Sequence, residues 1–366
     1  VKTATNFKRF GSVAAIAIAG TMMFTACAAN EGGTPAAEGD STLTGTLDGA
    51  GASSQGSAQE TWVSAFQIAN PDVTINYEPS GSGAGREAFI AGGVAFAGSD
   101  SALSDEELAG EFAACAPDTK AIDLPVYISP IAVIFNVEGV DTLNLDAATI
   151  AKIFKGEITS WDDAAIVALN PDAALPTAPI TAVHRSDDSG TTKNFADYLG
   201  KVAPEVWDAE AEDAFPYAGG EAAQGTSGVV DAVTNGSNTI GYADASKAGD
   251  LGVAAIKVGE DFVDFTPEAA ALVVDASPLV EGREANDIAI KLDRTTTEAG
   301  AYPLVLVSYL IACEEYADAD SAELVKAYLG YIASEEGQAE SAESAGSAPI
   351  SSELSAKVTT AIDAIK

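Results

Sequence analysis

Histidine is almost missing from this sequence: His184 is the only one in 366 residues, alongside 3 cysteines, 2 methionines and 3 tryptophans. One imidazole and no closely spaced cysteines argue against zinc catalysis and against a dithiol redox motif. Basic residues are scarce as well. Lys and Arg number 18 against 55 Asp and Glu, a formal charge of −37, which excludes nucleic acid and anionic membrane surfaces as partners held by charge. Apart from the leader, no stretch approaches the roughly 18 uninterrupted apolar residues of a membrane-spanning helix.

Hydrophobic residues make up 47% of the chain, enough for two domains with packed cores. Residues 1–27 read as a signal peptide: Lys2, Lys8 and Arg9 precede the apolar run Val13 to Phe24, which is too short to span. Phe24-Thr25-Ala26-Cys27 resembles a bacterial lipobox, with Phe24 in place of the usual Leu and Cys27 as the residue to be lipidated. Removing residues 1–26 leaves 15 basic residues against 55 acidic ones, a formal −40. Residues 28–41, rich in Gly, Ala and Pro, read as a flexible tether with a reach of about 20 Å.

The folded part then repeats strand, glycine-rich turn and helix, the pattern of an α/β sheet. Ser53-Ser54 follows the strand around Leu43 to Leu47, Ser82-Gly83 follows Val73 to Tyr77, and Val94 to Gly98 delivers Ser99-Asp100. Later, Ile180 to Val183 leads into His184-Arg185-Ser186-Asp187-Asp188-Ser189-Gly190-Thr191 and a helix. Hydroxyls and first-turn N–H groups at a helix start, with a guanidinium at the strand end, suit a tetrahedral oxyanion. Open α/β sheets bind ligands at these carboxyl ends. Gly225-Thr226-Ser227-Gly228 opens a further helix and reads equally as part of the cleft or as a surface turn.

These residues resemble the extracytoplasmic phosphate-binding proteins of bacterial high-affinity phosphate ABC transporters. The specific pieces are Gly81-Ser82-Gly83, Gly98-Ser99-Asp100, Leu103-Ser104-Asp105, Gly156 through Trp161-Asp162-Asp163, Arg185 through Thr191, and Ile240-Gly241-Tyr242. The resemblance implies a two-domain α/β periplasmic-binding-protein fold of type II with two hinge crossings and a cleft between domains. Residues 42–124 and 300–366 would form the first domain and 125–299 the second, with the first crossing near Pro125. It implies ligand contacts from Ser53, Ser54, Ser82, Asp100, Arg185, Ser189, Gly190 and Thr191, with Asp187 orienting Arg185. Where the family often has Phe-Pro after its first hydroxyl, Ser54-Gln55 stands here. The implied function is binding of inorganic phosphate and delivery to a membrane-embedded permease. The protein would be an exported monomer, lipid-anchored to the outer face of the cytoplasmic membrane, with neither metal nor cofactor. Cys115 and Cys313 fall in the first domain of this layout, and an exported protein makes their disulfide the expectation over two separate buried thiols.

Hydrogen phosphate carries a proton that sulfate lacks at neutral pH, so an ionised Asp100 accepts from one and opposes the other. This weighs against a sulfate or molybdate protein. An enzyme is the other alternative, since His184, Ser189 and Asp187 are the residue types of a hydrolase triad, as in a secreted phosphate-ester hydrolase. Strand alternation, however, turns His184 away from the face of Arg185, and no Gly-x-Ser-x-Gly elbow is present.

Overall fold

The structure is a computed structural model and describes residues 41–366; the expectations for the leader, for Cys27 and for nearly all of the tether lie outside the described residues. The chain opens with β1 (Gly45–Gly51), α1 (Gly56–Ala69), β2 (Val73–Glu78), α2 (Ser82–Ile90) and β3 (Phe96–Ser99). Helix α3 (Asp105–Ala109), started by a capping box between Ser104 and Glu107, leads to β4 (Ala121–Asn136). Next come β5 (Asn144–Leu145), α4 (Ala147–Phe154), α5 (Ala164–Leu169), β6 (Thr181–Arg185), α6 (Gly190–Val202), β7 (Glu221–Ala223), α7 (Gly225–Asn235) and β8 (Thr239–Asp244). Short strands β9 (Gly252–Val253), β10 (Ala255–Val258) and β11 (Asp261–Val263) precede α8 (Pro267–Ala276) and β12 (Val305–Cys313). Helices α9 (Ala319–Ala333), α10 (Glu335–Ala345) and α11 (Ser352–Ala364) follow.

The main sheet runs β2-β1-β3-β12-β4-β8-β6-β7, with β9 also on β4. Strands β1, β2 and β3 are mutually parallel on one side, and β6, β7 and β8 on the other. The antiparallel strands β12 and β4 join these blocks.

Strand β4 is a 16-residue, mostly apolar strand buried on both faces. For that reason it lacks the alternation that marks a half-exposed strand. Ala121 to Pro130 pairs with β12, whereas Ile131 to Asn136 pairs with β8. The change of partner therefore falls at Pro130–Ile131, beyond Pro125. Proline has no N–H to give the ladder. Accordingly the β12 register shifts between Ser308 and Tyr309, opposite Pro125, and Pro130 sits against Val305, the first residue of β12.

Each block has its own aromatic packing. In the first, Trp62 is fully buried, donates Nε1–H to the Gly337 carbonyl at 2.7 Å and meets Tyr127 edge-on. In the second, Phe195 stacks on Tyr242 at 4.2 Å, and Trp207 and Phe215, from the segment between α6 and β7, pack beside Phe195 and Phe154. The expected disulfide is present: Cys115 and Cys313 are bonded, with their Cα atoms 5.3 Å apart. Helix α8 buries Ala269, Ala270, Val273 and Val274. The segment after it is tied to β4 by Arg283, which pairs with Asp123 and Asp287. No helix among the described residues is long and apolar enough to cross a membrane.

Candidate anion-binding site

The carboxyl ends of β1, β2 and β3 from one block, and of β6 and β7 from the other, point to one place. The loops they carry are in contact. Gly83 N–H donates to the Asp188 carbonyl at 3.2 Å, Ser53 and Thr226 share a hydroxyl contact of 3.0 Å, and Thr226 N–H donates to Ser53 Oγ at 3.1 Å. Thr226, left open by sequence, thus lines the site. Arg86 of α2 reaches across to Asp213 at 2.5 Å, while Asp213 accepts the Ser189 N–H through its main-chain carbonyl.

Asp100 lies at the centre, 3% exposed. Its Oδ1 accepts from Ser54 Oγ at 2.5 Å and Ser308 Oγ at 2.7 Å, and its Oδ2 accepts from Thr191 Oγ1 at 2.9 Å. Its own N–H donates to Ser82 Oγ at 3.1 Å. A carboxylate has about four lone-pair sites, and three are filled here by protein hydroxyls. The fourth, on Oδ2, is left to accept a further donor. Burial pushes the Asp100 pKa up, while the three hydroxyls and the charge of Arg185 oppose the rise. Ser54, expected on the ligand, has its hydroxyl engaged with Asp100.

Arg185 ends β6, 3% exposed. Its Nε donates to Asp187 Oδ1 at 2.8 Å and its Nη2 pairs with Asp187 Oδ2, so the guanidinium is held from one edge. Among the described residues Nη1 takes no acceptor. Burial alone would raise the Asp187 pKa, but the hydrogen bond and charge of Arg185, with the Gly225 N–H, hold it below the usual carboxylate range. Two residues further on, Ser189 caps α6 by accepting the Thr192 N–H at 3.2 Å. Gly190 is required by space: a Cβ there would stand 2.6 Å from Ser82 Oγ and 2.7 Å from Asp100 Cβ. The first-turn N–H groups of α6 therefore lie directly against the first block. Gly81, at φ +105°, makes the turn that brings Ser82 into this contact.

Candidate residues from both halves of the sequence thus converge on one spot, with a buried cation, an acceptor and several hydroxyl and N–H donors. A tetrahedral oxyanion bearing a proton matches this arrangement. The sequence profile of the PBP superfamily domain matches residues 36–336. "Phosphate-binding protein PstS 3" of Mycobacterium leprae is 40% identical over 295 residues, covering 78% of each chain. Its Mycobacterium tuberculosis counterpart is 35% identical over 376 residues, covering 98% of this chain and 100% of its own. This chain belongs to the PstS family of phosphate-binding proteins. Solved structures confirm the fold. A periplasmic phosphate-binding protein, PfluDING, bound with phosphate, superposes with a TM-score of 0.67 at 22% identity, covering 86% of this chain and 93% of that one. A substrate-binding protein with bound phosphate from Clostridium perfringens gives a TM-score of 0.59 at 23% identity, covering 82% and 98%.

Beyond the family motifs the site recruits residues that sequence passed over. Ser308 is the one serine or threonine in the largely apolar run of β12, and its polarity there is the available signal. Asn194, one turn along α6 from Gly190, donates to the main-chain carbonyls of Asp100 at 2.6 Å and Gly190 at 2.9 Å. The triad residues do not form a triad. His184 stacks on Phe215 at 4.0 Å, with both ring nitrogens against the carbonyls of Arg185 and Gly219.

Proposed function

We propose that this PstS-family protein binds inorganic phosphate, as hydrogen phosphate, at the cluster around Asp100 and Arg185 and delivers it to the membrane permease of an ABC importer. The observation that carries the reading is the unfilled acceptor position on Asp100 Oδ2, beside a guanidinium with a free edge. Arg185 Nη1, Ser53, Ser82 and the N–H groups of Gly190 and Thr191 supply donors to the unprotonated oxygens, and Asp100 takes the proton. Ser54 and Ser308 act through Asp100, and Asp187 through Arg185. Sulfate and molybdate have no proton to give at neutral pH and would set lone pairs against the carboxylate.

The two sheet blocks act as lobes that close on the anion. The sequence assigns residues 42–124 with 300–366 to one lobe and 125–299 to the other, and the partner change at Pro130–Ile131 supports placing the first crossing there instead. Export, lipid attachment at Cys27 and a monomeric state complete the proposal. Calorimetry of the protein against phosphate, sulfate and molybdate tests it: phosphate should bind far more tightly than either. Equal affinity for all three would overturn the proton-reading role of Asp100, and no phosphate binding would overturn the function itself.

A further inference from the structure

A strongly acidic protein repels the anion it is built to take. Its field is screened within roughly 8 Å at physiological salt, yet the last approach to the site lies inside that distance. The cavities of the molecule are not alike in this respect. Four of them, at Asp275–Lys357, Asp141–Asp250, Asp105–Asp287 and Glu111–Lys120, each carry a net charge of −1 on their lining residues. A fifth, of about 250 Å³, is lined by Lys193, Lys201, Lys291 and Arg294 against Asp100 and Asp197, a net +2. Asp100 borders both this cavity and the anion-binding cluster.

The placement follows from the elements. Lys193, Asp197 and Lys201 fall at four-residue steps along α6 and so share one of its faces. Lys291 and Arg294 come from the segment that Arg283 ties to β4. Arg294 is 2% exposed and fully engaged: it meets Asp197 at 3.0 Å, the Pro303 carbonyl at 3.0 Å, the Val305 carbonyl and Asn194 Oδ1. Asp197 is thereby matched twice, by Arg294 and by Lys201 at 2.8 Å. The half-buried Lys193 and the exposed Lys291 have no ion-pair partner among the described residues, so their charge faces whatever enters.

We infer that this cavity is an accessory anion site, in which hydrogen phosphate is first gathered by Lys193, Lys201 and Lys291 before it passes to the donors around Asp100. The inference rests on the phosphate reading. A low-dielectric cleft of one sign raises the local concentration of its counter-ion and the rate of association, with little effect on dissociation from a separate tight site. A cavity of about 250 Å³ also has room for the anion with part of its hydration shell, since one water takes about 30 Å³.

Stopped-flow association of inorganic phosphate tests the idea. At about 10 mM salt, where the screening length is about 30 Å, the triple variant Lys193→Gln, Lys201→Gln, Lys291→Gln should associate about tenfold more slowly than the unsubstituted protein. Dissociation should be unchanged, and the difference should vanish near 1 M salt. The variant Lys152→Gln, Lys247→Gln, Lys357→Gln changes net charge equally at remote positions and should associate within about twofold of the unsubstituted rate. Lys291→Gln alone, at an exposed position, should reproduce part of the slowing. Equal association rates in the two triple variants, or no slowing in either, overturn the accessory site while leaving phosphate binding intact. Absence of phosphate binding in the unsubstituted protein would instead remove the reading on which it rests.

Discussion

Thr191 Oγ1 donates to Asp100 Oδ2 across 2.9 Å, joining the first turn of α6 to the end of β3 across 91 positions of sequence and between opposite blocks of the sheet. The contact places a helix N-terminus and a carboxylate side by side. Asp100 therefore takes part in the contact between the lobes as well as in the selectivity proposed for the site.

Arg185→Ala should cost on the order of 3 kcal/mol or more of phosphate binding, because a charge-assisted contact and its geometry vanish together. Asp187 would then be left without its cation. Arg185→Lys should restore little, since an ammonium cannot be gripped at one edge by Asp187 while offering the other to a ligand. Calorimetric affinities equal to those of the unsubstituted protein would place the anion elsewhere.

Asp100→Asn should narrow the ratio of phosphate to sulfate affinity, because an amide can donate where the carboxylate only accepts. Phosphate affinity should fall too, since Ser54, Ser308 and Thr191 all donate to this side chain. Competition titrations measure the ratio, and an unchanged ratio would refute proton readout by Asp100.

Closure should be visible in solution. Small-angle scattering is expected to give a smaller radius of gyration with phosphate than without it, and the change should be lost in Arg185→Ala. Superimposable curves in the presence of proven binding would mean that the lobes do not move.

Asp244 offers a stability test. It ends β8 fully buried, accepts from Tyr127 Oη at 3.1 Å and has no partner for Oδ2. Burial pushes its pKa from 3.8 up to about 6. A raised carboxylate pKa contributes stability that is fully present below the unfolded value and is lost as pH rises through the folded one. At pH 8 the folded state therefore carries a cost of about 3 kcal/mol that has largely gone near pH 4. Asp244→Asn should raise the melting temperature at pH 8 and lose that advantage on acidification. A gain that is independent of pH would assign the effect to packing instead.

Reducing the Cys115–Cys313 bond, or replacing both cysteines with Ser, should lower stability by about 3–5 kcal/mol, as expected for a bridge closing so long a loop. The sequence separation is 198 residues. Melting curves with and without reductant provide the measurement.

The parts of the fold most legible in the sequence were those with local signals. The strand and helix start from Thr181 to Thr192 stand out because Gly190 and the hydroxyls punctuate an apolar run. Helix α10 carries no such mark: its sequence, Glu335 to Ala345, is polar and small, and it packs through Gly337, Gln338, Ser341 and Ala345. Close approach of small residues produces no hydrophobic stripe to read. Ser308 and Arg294 escaped for a different reason. Their partners lie as far as 253 and 100 residues away, and a polar residue acquires meaning only from what the fold sets beside it.

Strand β12 pairs with β3 on one side and β4 on the other, yet it begins at Val305. As the chain emerges, those two central strands must wait as open, apolar edges until most of the sequence has followed. High contact order slows folding, and bare strand edges invite association. The protein should therefore be most vulnerable to aggregation and to chaperone capture just before β12 becomes available. Truncations ending near residue 300 should accumulate as insoluble chains, whatever the quality of the lobe they leave complete.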